Sequence, residues 1–343
     1  MTKFDLQIWE LVCYCLICLF GLLGNSIVIY VIRKSGMSPK HRFRHVPFNV
    51  YLMNLAIVDL ALSVICLPVY VMSTSAFPHP TGVNGDVFCK LVTGNLPQFW
   101  LAGVSIYILV IISFERLNAI AKPFQIRVTT SRKTIIHIAL AWFFALLREL
   151  PVLVGIRYTA TNATVGASCY YWPSYEVNAF IFSCLFVSEY LAPAIIFFIN
   201  FYRIRKRMIC LNGTLKFALV NERQRVKIMQ SKEKTIRVVL LVLVSFLILW
   251  TPNNIMYFLF QFANVSKVTW SSNYYQLGII LGFSSSCLNP FLYAFQSRKF
   301  RNQCKAVFLE TFSCRREAWQ RIHTSTFTSS NETGELIKSL KKI

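Results

Sequence analysis

The chain has 343 residues, 55% of them hydrophobic and only 15% charged, with a formal net charge of +22. So many apolar residues with so few charges exclude an ordinary soluble domain. The basic excess would suit nucleic acid, but it is confined to short segments between long apolar runs, which argues against that partner.

Uncharged or nearly uncharged runs lie at 11–32, 46–76, 91–114, 134–156, 177–202, 238–263 and 268–297. Each is long enough, at about 1.5 Å of helix per residue, to cross a hydrocarbon layer. The segments 33–45, 122–133, 203–237 and 298–343 hold 5, 4, 11 and 10 Lys/Arg, whereas the opposite side has only Lys3, Lys90, Arg157 and Lys267. Basic residues favour the cytoplasmic face, so the N-terminus is expected outside and the C-terminus inside, in an all-α bundle of seven plasma-membrane spans. The same charges would attract anionic membrane lipid. Residues 1–10 form a short outer segment and 11–297 the membrane domain. Residues 1–25 carry Asp5 and Glu10 and no small-residue cleavage site, so they are not read as a signal peptide.

Taken in order, the first run holds Gly24-Asn25 and the second Asn54-Leu55-Ala56-Ile57-Val58-Asp59, which puts a carboxylate near mid-bilayer. Such a group is rare in lipid and is usually functional. Pro68 is expected to kink the second helix. The third run starts after Cys89, contains Pro97 and ends in Glu115-Arg116-Leu117, with Pro123 beyond. The fourth carries Trp142, Arg148-Glu149 and Pro151. A loop follows, with a glycosylation sequon at Asn162 and then Cys169-Tyr170-Tyr171-Trp172. On this topology Cys89 and Cys169 are the two outer cysteines, and in an oxidising compartment they should pair. The fifth run has Glu189 one turn before Pro193; the sixth has Phe246-Leu247-Ile248-Leu249-Trp250-Thr251-Pro252; the seventh ends in Asn289-Pro290-Phe291-Leu292-Tyr293. The basic segment 203–237 should prolong the fifth and sixth helices. Residues 298–313 have one apolar face and read as a helix on the membrane surface, where Cys314 is a palmitoylation candidate. Residues 314–343 read as a disordered tail, Ser/Thr-rich at 324–333, whose phosphorylation could recruit an arrestin-type partner.

The ordered set of motifs resembles the rhodopsin-like G-protein-coupled receptors, most closely their neuropeptide branch. Gly-Asn, Asn-Leu-Ala-x-x-Asp, Glu-Arg-Leu, Trp, Phe-x-x-Leu-Trp-x-Pro and Asn-Pro-x-x-Tyr follow one another over residues 20–310. The third span departs from the pattern: Cys89 stands 27 residues before Arg116, where the family has 25. The two extra residues are expected to be absorbed above Gln98, around Pro97.

The resemblance implies three sites. In the family, a polar cluster equivalent to Asn25, Asp59, Ser105, Trp250, Ser285, Ser286 and Asn289 surrounds a sodium ion, and an oxygen-lined pocket with one carboxylate suits a hard cation. The alternative is a protonated, water-bridged Asp59. A conformational switch would use Glu115, Arg116, Ile106, Pro193, Phe246, Trp250, Pro252, Asn289, Pro290 and Tyr293. Eighteen residues before Trp250 stands Lys232 rather than an acid, so the latch on Arg116 is expected to be weak. A ligand pocket would be lined by Gln98, Phe99, Ala102, Trp172, Glu189, Trp250, Asn253, Asn254, Tyr257, Tyr275 and Gln276. Gln98 replaces the aspartate of amine receptors and Phe283 the retinal-binding lysine of opsins, so neither ligand is expected at those positions. Glu189 is either a counter-charge for a basic ligand group or an ion-pair partner of Arg148, since a buried charge needs one or the other.

The implied function is sensing of an extracellular ligand, a small neuropeptide, and activation of a heterotrimeric G protein. An amine or other small molecule anchored by Glu189 is the alternative. A transporter or channel would call for internal repeats or paired intramembrane charges, and no repeat is seen. No metal-ligand cluster, nucleophile–base spacing or phosphate loop appears, so no enzymatic activity and no cofactor beyond sodium are expected.

Overall fold

The computed structural model describes residues 5–37, 47–121, 131–160, 167–171, 174–218, 222–262, 272–296, 301 and 304–305. Nearly all of these are helical, as uniformly apolar runs in lipid must be, because only a helix satisfies its own backbone hydrogen bonds there. The helices are α1 (Ile8–Met37), α2 (Pro47–Ser73), α3 (Gly82–Phe88), α4 (Leu96–Ala121), α5 (Ser131–Gly155), α6 (Tyr175–Phe186), α7 (Ala192–Ala218), α8 (Glu222–Phe262) and α9 (Asn273–Gln296). A π turn at Cys89–Thr93 follows α3, and another at Val187–Leu191 joins α6 to α7. Together, α3 with α4 and α6 with α7 make the third and fifth spans. Six of the seven spans are long and apolar enough to cross a membrane among the described residues. The seventh, α9, is 24 residues long and carries Ser284, Ser285, Ser286 and Asn289. Ser286 and Asn289 are buried inside the protein, so the polarity of this helix is turned inward.

Neighbours in sequence pack together: α1 on α2, α2 on α4, α4 on α5 and α7, and α8 on α7 and α9; α9 closes the ring on α1. Asn54 of the second-span motif accepts from the Trp142 indole at 3.3 Å, while Trp100 donates to the Trp142 carbonyl at 3.3 Å. The motif residues Asn54 and Trp142 thus tie α2, α4 and α5 together. Gly24 packs on Pro290, where an added Cβ would sit 3.0 Å from the ring, so the first and last motifs touch.

The third span differs from the expected single helix after Cys89. It starts at Gly82, passes through the π turn and breaks at Gly94-Asn95, where Asn95 has φ 50°. Gly94 N–H bonds the Cys89 carbonyl at 2.8 Å, five residues back. Pro97 has no N–H for the Thr93 carbonyl four residues earlier, so a regular helix cannot run through this point. Proline instead suits the first turn of α4. This irregular stretch lies directly before Gln98, where the two extra residues are expected. Glycine suits position 94, because a Cβ would stand 2.9 Å from the Lys90 backbone carbonyl.

The segment read as a loop contains a hairpin: β1 (Ile156–Ala160) pairs antiparallel with β2 (Ala167–Tyr171), Cys169 lying opposite Tyr158. A disulfide joins Cys89 to Cys169 and pins the hairpin to the π turn. Both sulfurs are buried with Ile156. His79 fills the remaining side, its Nε2 3.2 Å from Cys169 Sγ and its ring against Phe88 and Tyr158.

The basic segment does prolong α7 and α8, which end at Ala218 and begin at Glu222. Asn162, Trp172, Cys314, the tail and most of 298–313 lie outside the described residues. Residues 297–343 form a separate unit, of which Arg301, Cys304 and Lys305 are helical. The last span was expected from 268; its helix begins at Asn273, after a stretch outside the described residues.

Candidate functional site: a polar core beneath a charged pocket

Asp59 has 0% exposure on α2. Its two oxygens accept from Ser105 on α4 at 2.8 Å and from Asn289 on α9 at 2.7 Å. Asn25 on α1 donates to the carbonyls of Gly21 and Ser286 at 3.0 and 3.1 Å. Four spans thus converge on one carboxylate and the backbone beside it. Ser63, one turn after Asp59, completes the set: its hydroxyl donates to the Asp59 carbonyl at 2.7 Å and lies 3.1 Å from the Ser286 hydroxyl. The sequence reading omitted Ser63. Its spacing of four from Asp59, which puts both on one helix face, was the available signal. Gly21 makes room for it, since a Cβ at 21 would overlap the Ser63 side chain. Ser285 is only half-buried on α9.

Trp250 is buried on α8 and faces Gly282 of α9, where an added Cβ would sit 3.5 Å from the ring. Pro193, Ile106 and Phe246 are all buried, and the Phe246 ring meets Phe197 at 5.6 Å and Tyr190 at 5.9 Å. Pro252 and Pro290 lie inside continuous helices. At the other end of the bundle the Arg116 guanidinium lies over the Phe48 ring, 3.2 Å from its centroid. The side chains of Tyr293 and Lys232 are outside the described residues.

The residues expected to line a ligand pocket lie on α4, α8, α9 and the π turn before α7, Trp172 aside. Gln98, Ala102, Asn253, Asn254, Tyr275 and Gln276 are buried, while Phe99 and Tyr257 are half-buried. Phe99 packs on Phe283 at 5.5 Å and Tyr257 on Phe182 at 4.7 Å. Asn254 donates to the Trp250 carbonyl at 2.9 Å.

Beside this pocket sits a buried charge cluster. Arg148 Nη1 lies 2.8 Å from Glu189 Oε1, the ion pair that was one of the two readings of Glu189. It also pairs with Glu149, through Nε at 3.0 Å and through a short contact from Nη2. Nη2 donates as well to the Phe99 carbonyl at 2.7 Å. The fork reaches α4 because position 103 is glycine: a Cβ there would stand 2.6–2.8 Å from the guanidinium. Glu189 rides on the π turn. Pro193 cannot donate to the Glu189 carbonyl four residues back, and a π turn is one way a helix accommodates such a gap. Neither Gly103 nor the partnership of Arg148 with the adjacent Glu149 was anticipated.

Seven spans, a disulfide from the third span to the following hairpin, and a buried carboxylate core define a membrane protein of helical-bundle type. A family model described as 7 transmembrane receptor (rhodopsin family) matches residues 24–293, and the chain belongs to that family. It is therefore a G-protein-coupled receptor, a multi-pass membrane protein and not an enzyme. It is 30% identical to galanin receptor type 1 of Homo sapiens over 303 residues, covering 87% of this chain and 81% of that one. It is 28% identical to a bombesin receptor of Bombina orientalis, covering 92% and 80%, and 28% identical to somatostatin receptor type 4 of Rattus norvegicus, covering 86% and 71%.

Proposed function

We propose that this receptor senses a small extracellular neuropeptide and drives nucleotide exchange on a heterotrimeric G protein. The observation that carries the peptide reading is a set of buried amides and a phenol: Gln98, which occupies the place of the amine receptors' aspartate, is buried, as are Asn253, Asn254, Tyr275 and Gln276. Amides and phenols both donate and accept, as recognition of a peptide backbone requires. The similar receptors carry peptide names, which supports the same reading. The disulfide end faces outward, with the N-terminus, and the Arg116 end faces the cytoplasm, as the basic segments direct. There Arg116, Arg205, Lys232 and Lys234 line the G-protein cleft, and opening of α8 exposes it. Phosphorylated Ser/Thr in the tail engages arrestin, and Cys314 is palmitoylated next to the surface helix at 298–313. Asn162 carries a glycan.

A synthetic neuropeptide library and an amine panel, run on the same G-protein reporter cells, test the ligand class. The reading expects peptide hits, and hits from amines alone would replace it.

Asp59, Ser105, Asn289, Ser286, Asn25 and Ser285 form the place for an allosteric sodium ion, a hard cation that takes oxygen ligands. Sodium there should weaken agonist binding in the wild type, and Asp59→Asn should abolish that sensitivity. Sodium sensitivity unchanged in the mutant would remove the site.

A further inference from the structure

The charge cluster at the pocket wall is unbalanced. Two carboxylates, Glu149 and Glu189, share one guanidinium, and their side chains are 3% and 14% exposed against 5% for Arg148. A carboxylate taken out of water needs its own counter-charge or a proton. Arg148 faces both acids at once. Its Nε and Nη2 are committed to Glu149 and the Phe99 carbonyl, and Gly103 lies under its plane.

Glu189 is the looser and more accessible partner. Its ion pair with Arg148 is close, yet Nη1 has no aligned hydrogen bond among the described residues.

Two more buried groups lack partners, and both are acceptors. Gln98 Oε1, in a residue 2% exposed, and Asn253 Oδ1, in a residue 6% exposed, have no hydrogen-bond donor among the described residues. Gln98 adjoins Phe99, whose carbonyl holds Arg148. Asn253 backs directly onto Gly278, one turn from Tyr275. An orphaned buried acceptor carries a desolvation cost that a donor removes. This region thus combines two carboxylates on one guanidinium with two buried carbonyl oxygens that lack a donor among the described residues.

From this arrangement we infer that the buried end of the ligand is a cationic head with several N–H donors, a guanidinium or a primary ammonium. It pairs with Glu189 and is accepted by Gln98 and Asn253. This rests on the peptide reading only for its source: an Arg or Lys side chain or a free N-terminal amine of a peptide. Arg148 is a fixed counter-ion that holds Glu189 in place and is not a contact for a ligand carboxylate.

The test uses purified full-length receptor and methylguanidinium and methylammonium chloride as probes, at constant ionic strength. A saturable rise in thermal midpoint is expected for the wild type, larger for methylguanidinium. Apparent affinity should fall roughly tenfold or more in Glu189→Gln, as loss of a buried charge partner does. Gln98→Leu, which leaves the charge cluster intact, should weaken it to a smaller degree and serves if Glu189→Gln does not fold. No saturable rise in the wild type, or equal affinity in the wild type and every variant that folds, overturns the inference. The peptide reading is judged separately, on reporter cells, with acetylated and amidated peptide pools made with and without Arg and Lys. Activation by pools lacking any cation overturns the cationic head and leaves the peptide reading standing. Silence from all pools beside a positive probe titration removes the peptide and leaves the cation site.

Discussion

Replacing Arg148 with glutamine should strip the receptor from the cell surface. The change leaves Glu149 and Glu189 buried together without a positive charge, and removing one partner of a buried pair costs about 3–5 kcal/mol. That is a large share of the roughly 5–15 kcal/mol that holds a typical fold together. Lysine should rescue poorly, because one ammonium cannot serve Glu149, Glu189 and the Phe99 carbonyl at once, as the guanidinium fork does. The triple replacement Arg148→Gln, Glu149→Gln, Glu189→Gln should recover expression, since it removes the charge problem altogether. Gly103→Ala should reproduce much of the Arg148→Gln defect by pushing the guanidinium out of its seat. Surface labelling of tagged receptor reads all of these. Wild-type labelling of Arg148→Gln would show that the cluster contributes nothing to the fold.

The second large effect concerns Cys89 and Cys169. Their disulfide closes a loop with a sequence separation of 80 and holds β2 over the pocket end of the third span. Loss of such a crosslink costs about 2–5 kcal/mol. Here it would also free the hairpin from the π turn at Cys89–Thr93, and with it the register of α4 below. Cys89→Ala and Cys169→Ala should each reduce surface receptor and ligand potency strongly. The double mutant should be no worse than either single mutant, because both remove the same bond. Additive losses would mean that the thiols act separately. Adding a reducing agent to intact cells should mimic the single mutants in the wild type and leave them unchanged.

The contrast between what the chain discloses and what it hides follows from the range of each interaction. The seven spans were legible because lipid demands long apolar helices, and hydropathy is a local property of the chain. The core around Asp59 was legible as well, since a carboxylate in lipid announces itself. Ser105 and Asn289 do bond it, and Asn25 and Ser286 bond each other beside it. Ser63 shows the limit: a serine in a helix is unremarkable until its partner across the bundle is known. Gly103 left no trace in the sequence, because its role is to let a side chain of α5 lie against α4. The hairpin escaped for the same reason. Its two five-residue strands are too short to show a pattern, and the disulfide that steadies them joins residues far apart in sequence. The π turn at Glu189 could have been suspected from Pro193, which deprives that carbonyl of its donor. Glu189 stands out in the sequence as a carboxylate in an apolar run, and of its two readings the ion pair with Arg148 is the one the structure contains. The structure shows the Arg148 pair with a second acid, Glu149, on the same guanidinium, and the ligand role proposed above does not require that pair to break.

The most direct measurement of the central claim is GDP release from a panel of purified Gα proteins, as heterotrimers, mixed with receptor in lipid nanodiscs and an activating peptide from the library. The account predicts that at least one Gα releases GDP faster with peptide, and that Arg116→Ala binds the peptide but gives no acceleration. Peptide binding with no acceleration from any Gα, or undiminished acceleration in Arg116→Ala, would contradict it.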